Sequence, residues 1–171
     1  TTELIDMDQQ MVIALNMYDE FLATGAKLDT DTLGNMIGVP VVPTVFRTGE
    51  GVDALFDRII DVYEGRDRSV RHVHVSLGND IEEGVRVIKD QLKKDNTVEQ
   101  HFSPRYLAIK MLEGDREVES LLSELPNYAQ LKTMRDNEVK RIERLRDEDI
   151  TSSIANEKYG YIAGALAETL T

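Results

Sequence analysis

The sequence predicts two parts of different fold class, an α/β segment followed by an all-α helical bundle. In the first third of the chain, short apolar runs alternate with amphipathic stretches, in the order strand, helix, strand, helix that is typical of a parallel α/β layout. The charge-dense stretch 64–71 then changes the composition, and beyond it the apolar residues follow helical spacing. We therefore divide the chain into portions 1–68 and 69–171.

The first predicted strand is the continuous apolar run from Met11 to Leu15, a pattern typical of a strand that is buried on both faces. Polar residues follow it directly. A short helix then ends at Gly25, and Asp29 or Thr30 can cap a second helix that stops at Gly38.

A second buried strand is predicted over residues 39–42, where Pro40 and the following Pro43 restrict hydrogen bonding to neighbouring strands. The next helix carries six apolar residues at a spacing of 3.6, with Gly65 as its stop: Val52, Leu55, Phe56, Ile59, Ile60 and Tyr63. In such a layout, loops at the carboxyl ends of the strands usually hold ligands.

The second portion is predicted to form a bundle of five helices joined by short loops. Pro104 can start the second of these helices, and Pro126 follows the third. Their apolar positions fall within residues 81–92, 106–111, 118–125, 128–145 and 159–170.

Composition excludes several classes of protein. The chain has 171 residues and a formal net charge of −12, from 20 Lys and Arg against 32 Asp and Glu, so it repels nucleic-acid backbones. The absence of Cys excludes disulfides, thiolate nucleophiles and Cys-built metal sites. No apolar run approaches the roughly 20 residues of a membrane-spanning helix. We therefore expect a soluble chain that does not bind nucleic acid.

The segment NMYD, residues 16–19, leaves the first strand where a ligand-binding loop is expected. A fixed carboxylate such as Asp19 can accept hydrogen bonds from both N1–H and the 2-amino group of guanine, while Asn16 holds the other edge of the base. Two charge-assisted bonds of roughly 1.5 to 3 kcal/mol each would favour guanine by about a hundredfold or more. Taken alone, the same residues also fit an ordinary cap of the next helix.

Further blocks of sequence make the pattern specific. With Met17 in the position of the Lys of the guanine-specificity motif NKxD, the chain resembles the ferrous iron transport protein B family, FeoB. The resemblance extends over nearly the whole chain, through PTVFRTGEG at 43–51, GVPVVPT at 38–44, VSLGNDIEEGV at 75–85, RYLAIKMLEGD at 105–115 and ANEKYGYIAGAL at 155–166. It implies an incomplete P-loop GTPase-type α/β segment followed by a helical domain.

The resemblance also implies a set of nucleotide-binding residues. Asn16 and Asp19 would bind the guanine base, and Met17 would cover one face of its ring. The family's SAK or SAR loop, whose backbone N–H meets guanine O6, would fall on Val45, Phe46 and Arg47. Val45 lacks the usual hydroxyl and Phe46 is far bulkier than Ala, although a backbone donor at Phe46 is retained.

The phosphate half of a GTPase site is missing from the sequence. A GTPase needs a GxxxxGK[ST] loop, a switch Thr and a DxxG before the NKxD position, and none precedes Asn16. The intact parent is expected to bind GTP or GDP and hydrolyse GTP, whereas phosphate binding, the Mg²⁺ site and catalysis are expected to be absent from this chain. We assign no catalytic residue and no metal ligand; His72 and His74 alternate on an expected strand, where solvent exposure is the more ordinary explanation.

The family resemblance implies a cytoplasmic region of a bacterial inner-membrane transporter, in which the helical domain couples nucleotide state to Fe²⁺ passage. The expected partners are a guanine nucleotide, the missing part of the G domain and a membrane domain. Because two strands taken from a larger sheet leave an edge and an apolar face open, we expect self-association or a rearrangement of the strand-helix segment to cover them. The alternative is a nucleotide-independent helical interaction module.

Overall fold

The computed structural model describes residues 1–94 and 102–171, and these form two compact units. The α/β unit comprises residues 9–73 and 162–171, and the helical unit comprises residues 1–8 and 74–161. An incomplete α/β segment and a helical bundle are thus both present, as the sequence predicts.

The α/β unit contains a parallel pair of strands, β1 (Ile13–Leu15) and β2 (Val41–Pro43). Ile13 pairs with Val41 and Leu15 with Pro43, and the pairing continues beyond the strands because Thr44 N–H donates to Leu15 O at 2.9 Å. This register brings the carboxyl ends of both strands to the same edge.

Burial differs between the two strands. Val41 and Val42 of β2 are buried as predicted, but the expectation that the first strand is buried on both faces is wrong: Ala14 is exposed and its neighbours in β1 are half-buried. Among the described residues the sheet has two strands, so β1 has a strand neighbour on one side only.

Besides residues 162–169, which end the last helix of the chain, three helices accompany the strands in the α/β unit. They are α2 (Tyr18–Ala23), α3 (Thr30–Ile37) and α4 (Val52–Tyr63). Asp29 caps α3 by accepting a hydrogen bond from Thr32 N–H at 2.9 Å, and Gly38 ends it in the left-handed region at φ 71°. Both ends of α3 agree with the prediction from the sequence.

Helix α4 does not bury the face that its periodicity predicts. Val62 is buried, whereas four apolar side chains at helical spacing are exposed by 43 to 83%: Phe56, Ile59, Ile60 and Tyr63. We call these four residues the α4 stripe. The described residues leave it uncovered.

The helical unit begins with α1 (Thr2–Asp6), which the sequence analysis did not predict. Its remaining helices are α5 (Asn79–Leu92), α6 (Pro104–Glu113), α7 (Arg116–Leu122), α8 (Tyr128–Arg146) and the part of α9 (Ile150–Thr169) that precedes residue 162. Helix α5 packs against α6 and α8, and completely buried side chains from all three, such as Ile88, Leu112 and Ile142, form the core.

Residues 70–78, which contain His72 and His74, form no strand, so the expected strand at this point is wrong. The segment is held by Arg105 instead, which donates to Val75 O at 2.8 Å and makes two bonds to Glu82 at 2.7 and 2.8 Å. Burial alone raises the pKa of Glu82, but the Arg105 bonds lower it below its ordinary value.

A cluster of charges also fixes α1 on the helical unit. Glu3 pairs with Lys110, and the buried Asp6 lies 3.8 Å from Arg105 Nε and 3.7 Å from Lys158 Nζ. Burial raises the pKa of Asp6, and the opposing attractions of Lys158 and Arg105 lower it by less.

The ion pair between Asp80 and Arg146 stabilises the start of α5. Arg146 donates to both Asp80 oxygens at 2.5 and 2.6 Å and lowers the pKa of Asp80 to about 2. We expect Asp80→Asn to lower the free energy of unfolding by about 2 kcal/mol at neutral pH. Because the pKa of Asp80 is depressed in the folded state, the drop in the free energy of unfolding has its full size above the ordinary pKa of 3.8. It becomes smaller as the pH falls toward 2.

Urea denaturation followed by circular dichroism measures this effect. Glu83→Gln is the matched control, because Glu83 is an exposed neighbour on α5 that lies 3.6 Å from Arg141; its cost is expected to stay below about 1 kcal/mol. Equal effects of the two substitutions, or a loss that does not change with pH, would contradict the assignment.

Candidate functional site

The candidate site lies where β1 and β2 end. Asn16 and Met17 follow β1 directly, and the 44–51 loop connects β2 to α4. Tyr18 N–H donates to Thr44 O at 3.2 Å, so the first turn of α2 lies beside the start of this loop. The parallel register thus places the two segments that are predicted to form the site, residues 16–19 and 45–47, side by side.

Asn16 connects the two loops directly. Its side-chain oxygen Oδ1 accepts a hydrogen bond from Phe46 N–H at 3.0 Å, between residues 30 apart in sequence. Because a backbone N–H needs an acceptor, this bond fixes the orientation of the amide and leaves the two donors on Nδ2 for another acceptor. An Asn at this position therefore both orders the 44–51 loop and presents donors.

Asp19 lies in the first turn of α2 and faces the 44–51 loop. Its Oδ2 accepts from Arg47 Nη2 at 3.0 Å, and the Asp19 side chain remains 38% exposed. The carboxylate does not cap its own helix, since α2 has no side-chain cap and begins after Met17. The helix-cap alternative for Asp19 is therefore not what the structure shows.

Met17 has an unusual backbone conformation. Its φ of 60° lies in the left-handed region, which costs free energy for a residue with a Cβ. Its carbonyl accepts from Glu20 N–H and Phe21 N–H and so starts α2, and its side chain is 54% exposed. This conformation turns the chain sharply between β1 and α2 and leaves an apolar side chain at the surface.

Val45 is the buried residue of the 44–51 loop, and its contacts hold the loop together. The residue is buried, its N–H donates to Glu50 O at 2.9 Å, and its carbonyl accepts from the N–H groups of Thr48 and Gly49, both at 3.0 Å. Val45 thus anchors the loop, while Phe46 and Arg47 are exposed at its outer side.

Gly51 allows the loop to close onto β2. Its φ is 75°, and a Cβ at this position would lie 2.2 Å from Pro43 O, which no side chain tolerates. Of the six site residues predicted from the sequence, five are exposed or half-exposed around the strand ends, and Val45 is buried. The backbone contact of Tyr18 with Thr44 could not be predicted, because it leaves no signal in side-chain chemistry.

The exposed groups at this site are a carboxylate, an amide, a guanidinium and two apolar side chains. Within residues 1–94 and 102–171, no group of three or more His, Asp and Glu side chains is arranged to hold a metal ion. In the same residues, none of the helices is both long and apolar enough to cross a membrane.

Two family models match the chain. The model described as "Ferrous iron transport protein B" matches residues 1–59, and the model of the FeoB cytosolic helical domain matches residues 78–171. Together they span both predicted portions.

Individual relatives agree with these matches. An Fe(2+) transport protein A/Fe(2+) transporter FeoB fusion protein from Porphyromonas gingivalis is 37% identical over 99% of this chain, which covers 20% of that protein. A GDP-bound mutant of the S. thermophilus FeoB G-domain is similar with a TM-score of 0.85 and 28% identity, over 99% of this chain and 62% of that one. A mutant of S. thermophilus NFeoB bound to GMPPNP gives a TM-score of 0.82 and 29% identity, over 96% and 61%.

The matched part makes up 14 to 24% of the length of the curated relatives. The second family model alone covers more than half of the chain's residues, and both models describe parts of FeoB. The chain belongs to the FeoB family of ferrous iron transport proteins, in whose cytosolic region it lies.

Proposed function

We infer that this chain carries the guanine-recognition half of a GTP/GDP site in a ferrous iron membrane transporter. The observation that carries the proposal is that Asn16 and Asp19 both contact the 44–51 loop at the carboxyl ends of the parallel strands. S. thermophilus relatives solved with GDP and with GMPPNP support a guanine nucleotide as the ligand.

Each exposed group at the site has a role toward the base. The two oxygens of Asp19 accept from guanine N1–H and the 2-amino group, and Nδ2 of Asn16 donates to the opposite edge of the base. The exposed side chain of Met17 covers one ring face. Since Phe46 N–H is already bonded to Asn16, we assign the contact with guanine O6 to the next backbone donor, Arg47 N–H.

The phosphate half of the site comes from residues outside this sequence. The printed sequence has no GxxxxGK[ST] loop to cradle phosphates and no Mg²⁺-binding switch motif before Asn16. Phosphates ordinarily supply much of the affinity of a nucleotide site. By itself this chain therefore binds guanine nucleotides weakly and does not hydrolyse GTP.

The helical domain, residues 69–171, is proposed to couple nucleotide state to Fe²⁺ transport at the cytoplasmic face of the inner membrane, with residues 1–68 belonging to the G domain. Coupling requires contacts that differ between nucleotide states. One candidate is α1, which the ion pairs of Glu3 and Asp6 hold on the helical unit. The chain reaches β1 of the α/β unit, at Ile13, only seven residues after the end of α1 at Asp6.

Substitution of Asp19 tests the proposed base specificity. Asp19→Asn removes one acceptor of the carboxylate, so the preference for GDP over ADP is expected to fall about tenfold or more. Xanthine carries a carbonyl in place of the 2-amino group, and the new amide donor should therefore favour XDP. Titration of the chain with the three nucleotides, followed by amide NMR signals, measures these preferences.

Asp31→Asn is the matched control, because Asp31 is also an exposed carboxylate in the first turn of a helix of the α/β unit. It should leave all three affinities unchanged. Equal binding of GDP and ADP by the unsubstituted chain would overturn the proposal and favour the nucleotide-independent helical module.

The α4 stripe supports two further proposed partners. In the parent, we propose that the remainder of the G domain covers these four side chains; in this chain alone, a second copy covers them. Exposed apolar surface of this kind drives association in water. The chain should therefore sediment as a dimer or larger species at micromolar concentrations.

The double substitution Ile59→Ser and Ile60→Ser should shift the sedimentation profile toward the monomer without lowering helicity, since both side chains are already exposed. Asp57→Ser, at an exposed polar position of α4, should leave the profile unchanged. A monomeric profile of the unsubstituted chain would refute self-association.

A further inference from the structure

The Asp19 carboxylate, which we assign to guanine, already forms an ion pair with Arg47. Arg47 reaches across from the 44–51 loop to α2 and donates Nη2–H to Asp19 Oδ2 at 3.0 Å. The pair is exposed, with 78% of the Arg47 side chain and 38% of the Asp19 side chain open to solvent. It is therefore a contact between two surface elements at the mouth of the site.

A guanidinium and the edge of guanine present the same chemistry to a carboxylate. Both offer neighbouring N–H donors that can pair with the two oxygens, and the guanidinium fork is the most common partner of this kind in proteins. Guanine uses both carboxylate oxygens and therefore also Oδ2, the oxygen that holds Arg47. The guanidinium and the base therefore compete for Oδ2 of Asp19.

We propose that Arg47 is an intramolecular competitor for guanine at Asp19, and that it sets the affinity and base selectivity of the nucleotide-free site. The proposal rests on the guanine-recognition function proposed for Asp19. Guanine binds only after Arg47 has left the carboxylate. Adenine has an acceptor at N1 and does not need the vacated carboxylate, so Arg47 reduces selectivity for guanine.

The loop is built so that Arg47 can leave without loss of its fold. Phe46 N–H is held by Asn16, and Val45 is buried and paired with Glu50, so the residues just before Arg47 are fixed independently of the ion pair. Release of the guanidinium therefore requires rotation of one exposed side chain. The 44–51 loop keeps its position while the carboxylate becomes available.

The exposure of the pair limits the size of the effect. Ion pairs at the surface contribute little because water and salt screen them, so displacement of Arg47 should reduce guanine affinity by about two- to fivefold. The same reasoning predicts that the effect decreases as salt is added. Competition and salt dependence together distinguish this role from packing of Arg47 against the base.

Arg47→Met tests the competition, because it keeps much of the apolar stem and removes the donors. The ratio of GDP to ADP affinity, measured by NMR titration of the 171-residue chain, should rise about two- to fivefold at low salt. The gain should vanish at about 1 M salt, where the screening length is about 3 Å. GDP and ADP carry the same phosphates, so any attraction between Arg47 and the phosphates cancels in this ratio.

Two variants complete the experiment. In an Asp19→Asn background, Arg47→Met should leave the ratio unchanged, because the contested carboxylate is gone. Arg66→Met, which removes an exposed Arg that pairs with Asp61 at the end of α4, should also have no effect.

The outcomes separate the two proposals. If the unsubstituted chain fails to distinguish GDP from ADP, the guanine-recognition function itself is wrong. If the unsubstituted chain prefers GDP and Arg47→Met leaves that preference unchanged or lowers it, Arg47 does not compete, and the competitor role is overturned while the guanine site stands.

Discussion

The hydrogen bond from Phe46 N–H to Asn16 Oδ1 joins the two loops that follow β1 and β2, and the geometry of the candidate site depends on it. The strand register allows the bond to form, because Ile13 pairs with Val41 and so places both loops at one edge. A slip of one residue would turn the side chains of a strand to the opposite face. Asp19 and Arg47 meet because this register and this bond hold their segments together.

Much of the fold follows from local signals in the sequence. Ser103 caps α6, which begins at Pro104, and Asp115 caps α7. Gly114 ends α6 in the left-handed region, which glycine adopts easily because it has no Cβ. The same signals do not reveal α1, which is five residues long and is held by ion pairs with distant helices. Short helices have little intrinsic stability and depend on contacts with other elements. The pair of Glu3 with Lys110 is such a contact, and the spacing of apolar residues does not predict it.

Burial was predicted less well than secondary structure. The run from Met11 to Leu15 and the periodicity of α4 indicate apolar faces, but a pattern does not say what covers them. In the described residues Ala14 and the α4 stripe remain exposed. At the site, chemistry identified Asn16 and Asp19, whereas the burial of Val45 depends on the closure of the 44–51 loop at Gly51, which only three-dimensional structure reveals.

The central claim is that the Asp19 carboxylate and the Asn16 amide meet the edge of a guanine base. Nuclear magnetic resonance of the carboxyl carbon of Asp19 and of the side-chain amide of Asn16, recorded while the chain is titrated with GDP and separately with ADP, tests it most directly. We expect both signals to move with GDP and to stay in place with ADP, while the carboxyl signal of Asp31 moves with neither. Signals of Asp19 and Asn16 that remain unchanged with GDP, or that move equally with both nucleotides, would contradict it.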